Sequence, residues 1–118
     1  MKRIYFAMHG IDNAGVMTQM LEHLGYEAVA VEDAAQLLNI LERSIPDLIL
    51  LDIEMPGLDG RQLLKTMRES LHTNIPIVAM AASARGTREH YKRFGFSDYL
   101  ENPFSLTCLR SVFLEYLA

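Results

Sequence analysis

One carboxylate stands out by its placement. In Leu48-Ile49-Leu50-Leu51-Asp52-Ile53-Glu54-Met55-Pro56-Gly57-Leu58-Asp59-Gly60 an apolar run delivers Asp52 to its end and then meets a Pro-Gly turn. Such a run reads as a strand buried on both faces. In open α/β sheets ligands and chemistry collect at the carboxyl ends of the strands, which makes Asp52 a candidate nucleophile or metal ligand. The same position also suits a residue that merely ends the strand or caps the next turn. Other residue types with chemical capacity are dispersed. His23, His72 and His90 have no ligand spacing such as His-x-x-x-His, so no zinc site is argued. Cys108, between Leu106 and Leu109, reads as a small core residue rather than a reactive thiol. The methionines, Met55, Met67 and Met80 among them, fall mostly at core spacing and read as packing.

The elements that would position Asp52 follow from periodicity. Ile4 to Met8 reads as a strand, and Asp12 opens a helix carrying Val16, Met17, Met20, Leu21 and Leu24 until Gly25 stops it. Ala28 to Val31 is a second strand; Asp33 caps a helix faced by Leu37, Leu38 and Leu41, closed by Ser44-Ile45-Pro46. After the strand Leu48 to Leu51, Gly60 opens a helix with Leu63, Leu64, Met67 and Leu71 on one side. Ile75 to Ala81 is a strand announced by Pro76, Ala84 to Phe94 a helix ended by Gly95, and Asp98 to Leu100 a short strand. Ser105 caps a last helix with Leu106, Leu109, Val112, Phe113, Tyr116 and Leu117. Strands alternating with helices at roughly twenty-residue intervals imply an α/β fold, a doubly wound five-stranded parallel sheet with five helices and right-handed crossovers.

With 118 residues, half of them hydrophobic, the chain is expected to form one domain, residues 1–118. It has neither the roughly 18–20 apolar residues of a membrane span nor a signal-peptide pattern after Met1-Lys2-Arg3, and no membrane association is expected. With a single cysteine, the cytoplasm is the default compartment. The net charge of −4 hides an asymmetry: residues 1–60 hold 3 bases and 10 acids, residues 61–118 hold 8 bases and 5 acids. Without a concentrated basic arm, direct nucleic-acid binding is not expected. A protein partner is the better expectation.

The segment around Asp52 resembles the phosphoacceptor region of response regulator receiver domains of two-component systems: an apolar strand, the phosphorylated aspartate, then a Met-Pro-Gly-x-Asp-Gly loop. Chain length and element order agree with that family. The resemblance implies the flavodoxin-like strand order 2-1-3-4-5, with the ends of strands one and three flanking the switch point. It also implies a Mg²⁺ ion held by two acids after strand one and by the strand-three aspartate, because a phosphoryl dianion approaches a carboxylate only across a cation.

Several positions depart from the family pattern. Met8 and His9 stand where the two acids belong, and neither is a magnesium ligand. Asp12, three residues further on, reads as a helix cap. The strand-four hydroxyl position falls on Ala81, with Ser83 two residues late, and the lysine before Pro103 is Asn102. The loop cation is thereby replaced by a neutral amide. Each lost group removes on the order of a few kcal/mol of transition-state stabilisation. A protonated His9 would offset the charge of Asp52 in place of the cation. Tyr99 occupies the family's switch-aromatic position, whose inward swing follows phosphate engagement by the missing hydroxyl. Arg85, Arg88, Lys92 and Arg93 make the fourth helix basic, and in the family the face from the fourth to the fifth helix serves dimers and partners.

The reading is a pseudo-receiver in a two-component phosphorelay: no enzyme, no cofactor, degenerate in Mg²⁺-dependent phosphorylation, and a protein-interaction module for a histidine kinase, an effector domain or a second copy of itself. One alternative is a functional phosphoacceptor, phosphorylated on Asp52 by a partner histidine kinase with Mg²⁺. Another, from a different class, is a small-molecule sensor using the emptied pocket.

Overall fold

The computed structural model describes residues 1–8, 11–53, 60–69, 74–82, 86–102 and 104–117. Five strands, β1 (Arg3–Ala7), β2 (Glu27–Val31), β3 (Leu48–Asp52), β4 (Ile77–Ala82) and β5 (Asp98–Asn102), alternate with α1 (Ile11–His23), α2 (Ala34–Leu41), α3 (Gly60–Glu69), α4 (Arg88–Phe94) and α5 (Leu106–Leu117). The sheet is wholly parallel in the order β2-β1-β3-β4-β5, as the resemblance implied. No helix among the described residues is long and apolar enough to cross a membrane.

Side-chain alternation on the central strands builds two cores. Tyr5, Ala7, Ile49, Leu51, Ile77, Ala79 and Ala81 face Leu37 and Leu41 of α2, Leu63, Leu64 and Met67 of α3, and Tyr91 of α4. Their alternates Ile4, Phe6, Leu48, Leu50, Val78 and Met80 face Met17 and Leu21 of α1 and Leu109, Val112, Phe113 and Leu117 of α5. The uninterrupted apolar run of β3 is thus the mark of a strand with helices on both sides.

Most element boundaries agree with the sequence reading to within two residues. Pro76 has no N–H to donate, and the β4 ladder begins at Ile77, whose N–H reaches Ser97 Oγ at 3.1 Å. Strand β1 lies one residue earlier than expected, its ladder ending at Ala7, while β5 runs on to Asn102. Helix α1 already includes Ile11, which makes Asp12 a first-turn residue instead of the cap. Helix α4 starts at Arg88, not Ala84. Thr87 caps it by accepting the His90 N–H at 3.2 Å, and a Cβ at Gly86, whose φ is 155°, would lie 2.7 Å from His90 Cδ2, so a side chain there requires the His90 ring to shift. Arg85, expected on that helix, lies outside the described residues. The caps Asp33 and Ser105 are as expected, accepting the N–H groups of Gln36 at 2.8 Å and Cys108 at 3.1 Å.

Two burial expectations are corrected. Val16 is exposed, because the inward stripe of α1 runs through Met17 and Leu21. Cys108 is exposed rather than core, because α5 turns Leu109, Val112 and Phe113 inward and carries residue 108 to the outer side.

Gly25 ends α1 at φ 92° and Gly95 ends α4 at φ 111°. A Cβ at Gly25 meets nothing within 4 Å, whereas one at Gly95 would sit 3.1 Å from Leu64 Cδ2. Both Gly→Ala changes should destabilise by about 1–2 kcal/mol for the left-handed backbone, with Gly95→Ala the worse of the two, as denaturant midpoints will show. At the same end of the sheet as these glycines, the Tyr116 hydroxyl donates to the Ser97 carbonyl at 2.7 Å, and burial, then the charge of Asp98, pushes its pKa up to about 12. The folded value exceeds the ordinary 10.0. The stabilisation is therefore complete below pH about 10 and lost as pH rises towards about 12. Tyr116→Phe should remove that portion of the alkaline loss of stability in a pH-resolved denaturation series.

Candidate functional site

Asp52 is the last residue of β3 and is 4% exposed. It pairs in register with Met80 of β4, and the next N–H, of Ile53, donates to the Met80 carbonyl at 3.1 Å. The carboxylate is thereby set at the carboxyl edge of the sheet by ladder bonds on both sides of its strand.

On the β1 side the ladder ends with Ala7 opposite Leu51, which brings Met8 alongside Asp52. Met8 is partly buried and packs against the core formed with α1 and α5, in step with Ile4 and Phe6. A thioether directed into an apolar core offers no hard oxygen to a cation. His9 lies outside the described residues, as do Glu54 to Asp59 and Pro103, so the expected His9–Asp52 pairing is not described. Among the described residues no group of three or more His, Cys, Asp or Glu side chains could hold a metal ion.

On the β4 side Ala81 is fully buried and pairs with Glu101 of β5. Asn102 closes β5 opposite Ala82. Tyr99 is only 6% exposed: its ring lies inward, its hydroxyl donates to the Ala81 carbonyl at 3.1 Å, and Tyr91 of α4 packs on it at 4.7 Å between ring centroids.

Beside Tyr99, the buried carboxylate of Asp98 accepts the Tyr99 N–H at 2.8 Å and faces Arg88 Nε at 2.7 Å. Arg88, read from the sequence as part of a basic docking face, is thus paired with a buried carboxylate although its own side chain is 61% exposed, and Lys92 and Arg93 of α4 are exposed. The Arg88–Asp98 pair and the Tyr91–Tyr99 ring contact are ones that spacing could not reveal, since their members meet only when α4 folds over β5. A groove of about 710 Å³ lies beside these contacts, with Tyr99, Glu101, Phe104 and Cys108 in its lining. Hydrogen bonding from Ser105 holds the Cys108 thiol below its ordinary pKa.

The model of the response regulator receiver domain matches residues 11–113. The chain belongs to the response regulator receiver family. This receiver is 35% identical over 109 residues to the sensor protein GacS of Pseudomonas syringae pv. syringae, covering 88% of the chain and 12% of GacS. It is 41% identical over 90 residues to the phosphate regulon transcriptional regulatory protein PhoB of Escherichia coli, covering 73% of the chain and 38% of PhoB. It therefore spans only a minor part of the length of these curated relatives. Among solved structures it is similar to the receiver domain of the sensor histidine kinase PA1611 of Pseudomonas aeruginosa, with a TM-score of 0.84, 32% identity and coverage of 98% of this chain and 96% of that one. That structure has a magnesium ion coordinated in its active site cleft. The chemotaxis response regulator CheY4 of Vibrio cholerae shares the fold at a TM-score of 0.86 and 22% identity, covering 99% of each chain.

The Asp98–Arg88 pair is testable in this receiver. Arg88→Ala leaves a buried carboxylate without its cation and should cost about 1–3 kcal/mol, with Arg88→Lys intermediate, by chemical denaturation. A loss within error of zero would mean that solvent screens the pair.

Proposed function

We propose that this receiver serves two-component signalling as a protein-interaction module, degenerate in Mg²⁺-dependent phosphotransfer and without catalytic turnover of its own. The observation that carries the reading is Met8. By the β1–β3 register Met8 comes next to Asp52, where the family resemblance expects an acid, and it packs against the core on the side of α1 and α5. Magnesium asks for several hard oxygen ligands in octahedral array, and one carboxylate beside a thioether does not fit that demand. Ala81 and Asn102 remove, by their chemistry, the hydroxyl and the ammonium that would hold a phosphoryl group.

The partner in this reading is a histidine kinase, an effector domain or a second copy, met on the side formed by α4, β5 and α5, in the cytoplasm. The basic α4 contributes through Lys92 and Arg93; Arg88 belongs to the fold.

A second reading, a true phosphoacceptor served by a partner histidine kinase, is favoured by Asp52 itself, which keeps its place at the end of β3, and by the magnesium-loaded cleft of the PA1611 receiver. Intact-mass measurement after incubation with a small phosphodonor and Mg²⁺ separates the two. The unmodified mass is expected throughout. One added phosphoryl group that disappears in Asp52→Asn would establish the second reading. Met8→Asp with His9→Asp should raise Mg²⁺ affinity by at least tenfold in calorimetry, since it restores two hard ligands.

A further inference from the structure

The geometry points to a single fixed setting of the surface formed by α4 and β5: Tyr99 is held inward by the main chain of Ala81 and the ring of Tyr91, whatever the charge state of Asp52. This inference stands whether or not Asp52 takes a phosphoryl group.

The argument begins with space. Tyr99 pairs in register with Ala79, and alternation places Ala79 and Ala81 on the same face of β4 as Tyr99 on β5. Two adjacent small side chains on that face leave the volume that an aromatic ring needs, and Tyr99 fills it to 6% exposure. A larger residue at either position would compete for the same volume.

Hydrogen bonding then fixes the depth. A buried phenol without a partner costs on the order of 1–3 kcal/mol. Here the hydroxyl donates to the Ala81 carbonyl at 3.1 Å, an acceptor at the carboxyl end of β4. Main chain supplies this acceptor, so it does not rotate away when a ligand arrives, as a hydroxyl side chain would. Residue 81 has only a methyl group, and no polar side-chain atom there links the Tyr99 hydroxyl to the neighbourhood of Asp52.

The outer side of the ring is closed as well. Tyr91 packs on it at 4.7 Å and in turn meets Phe96 edge-on at 6.1 Å, while the Tyr99 N–H is held by Asp98, which binds Arg88 of α4. An outward swing would empty a buried volume, break the Ala81 hydrogen bond and strip the ring contact from Tyr91 together. The groove lined by Tyr99, Glu101, Phe104 and Cys108 consequently keeps one shape.

The test is fluorine NMR of the full chain with 3-fluorotyrosine incorporated at position 99, in the parent, Asp52→Asn and Asp52→Glu. The Met8→Asp, His9→Asp variant with Mg²⁺ and fluoroberyllate is a further arm. One buried resonance, without an H₂O/D₂O solvent shift and unmoved across all samples, is the expected result. Two populations, a solvent-sensitive signal in the parent, or a resonance that moves with residue 52 or with fluoroberyllate would overturn it. Amide shifts of Tyr91, Tyr99 and Glu101 in unlabelled-ring protein guard against perturbation by the fluorine, and must be equally unmoved. Phosphorylation of the parent with an unmoved Tyr99 would sink the proposed loss of phosphotransfer and leave this inference standing; an unphosphorylated parent whose Tyr99 moves in Asp52→Asn would do the reverse.

Discussion

Burial of β3 on both faces is the constraint from which the rest follows. Leu48 and Leu50 must be covered by α1 and α5, Ile49 and Leu51 by helices on the opposite side, and neither demand can be met unless the chain crosses the sheet repeatedly. Once β3 is central, β1 and β4 are its neighbours and their carboxyl ends converge. Asp52, Met8 and Ala81 are brought together by that geometry alone, whatever chemistry their side chains can support.

The same constraint fixes the shape of the sheet edge independently of the side chains it carries. The ladder bonds around Asp52 are main-chain bonds, so a thioether at residue 8 and a methyl at residue 81 leave the sheet edge intact. What changes is charge and polarity. Among the described residues Asp52 is bordered by Met8 and by Met80 of β4, whose apolar side chains join the core on the side of α1 and α5. The space freed on β4 is taken by the Tyr99 ring.

A second centre of organisation lies at the start of β5. Asp98 is buried, and a buried charge has to be paired. It takes Arg88 from α4 and the N–H of Tyr99, and its field reaches Tyr116 of α5, whose hydroxyl bonds Ser97. One carboxylate thus helps fasten two helices to the edge strand beside the groove. Net charge on α4 is for this reason an incomplete guide to its docking potential: Arg88 has its charge paired by Asp98, while Lys92 and Arg93 are exposed.

Periodicity made the five strands, the five helices, their core faces and the caps Asp33 and Ser105 readable in the sequence, because these depend on neighbours a few residues away. The strand order 2-1-3-4-5 came from the resemblance carried by the motif around Asp52, which is also local, and so did the expectation that Met8 and His9 stand where the family has acids and Ala81 where it has a hydroxyl. Where the sequence reading slipped, the deciding contact was non-local or conformational. Helix α4 begins at Arg88 because Gly86 sits under His90, Cys108 faces solvent because α5 docks through Leu109 and Phe113, and Arg88 is occupied because Asp98 comes to it from another strand. The inward position of Tyr99 belongs to the same class. It depends on two alanines of β4 and a tyrosine of α4 that are distant along the chain, and only the packed sheet sets the volume between them that a ring can fill.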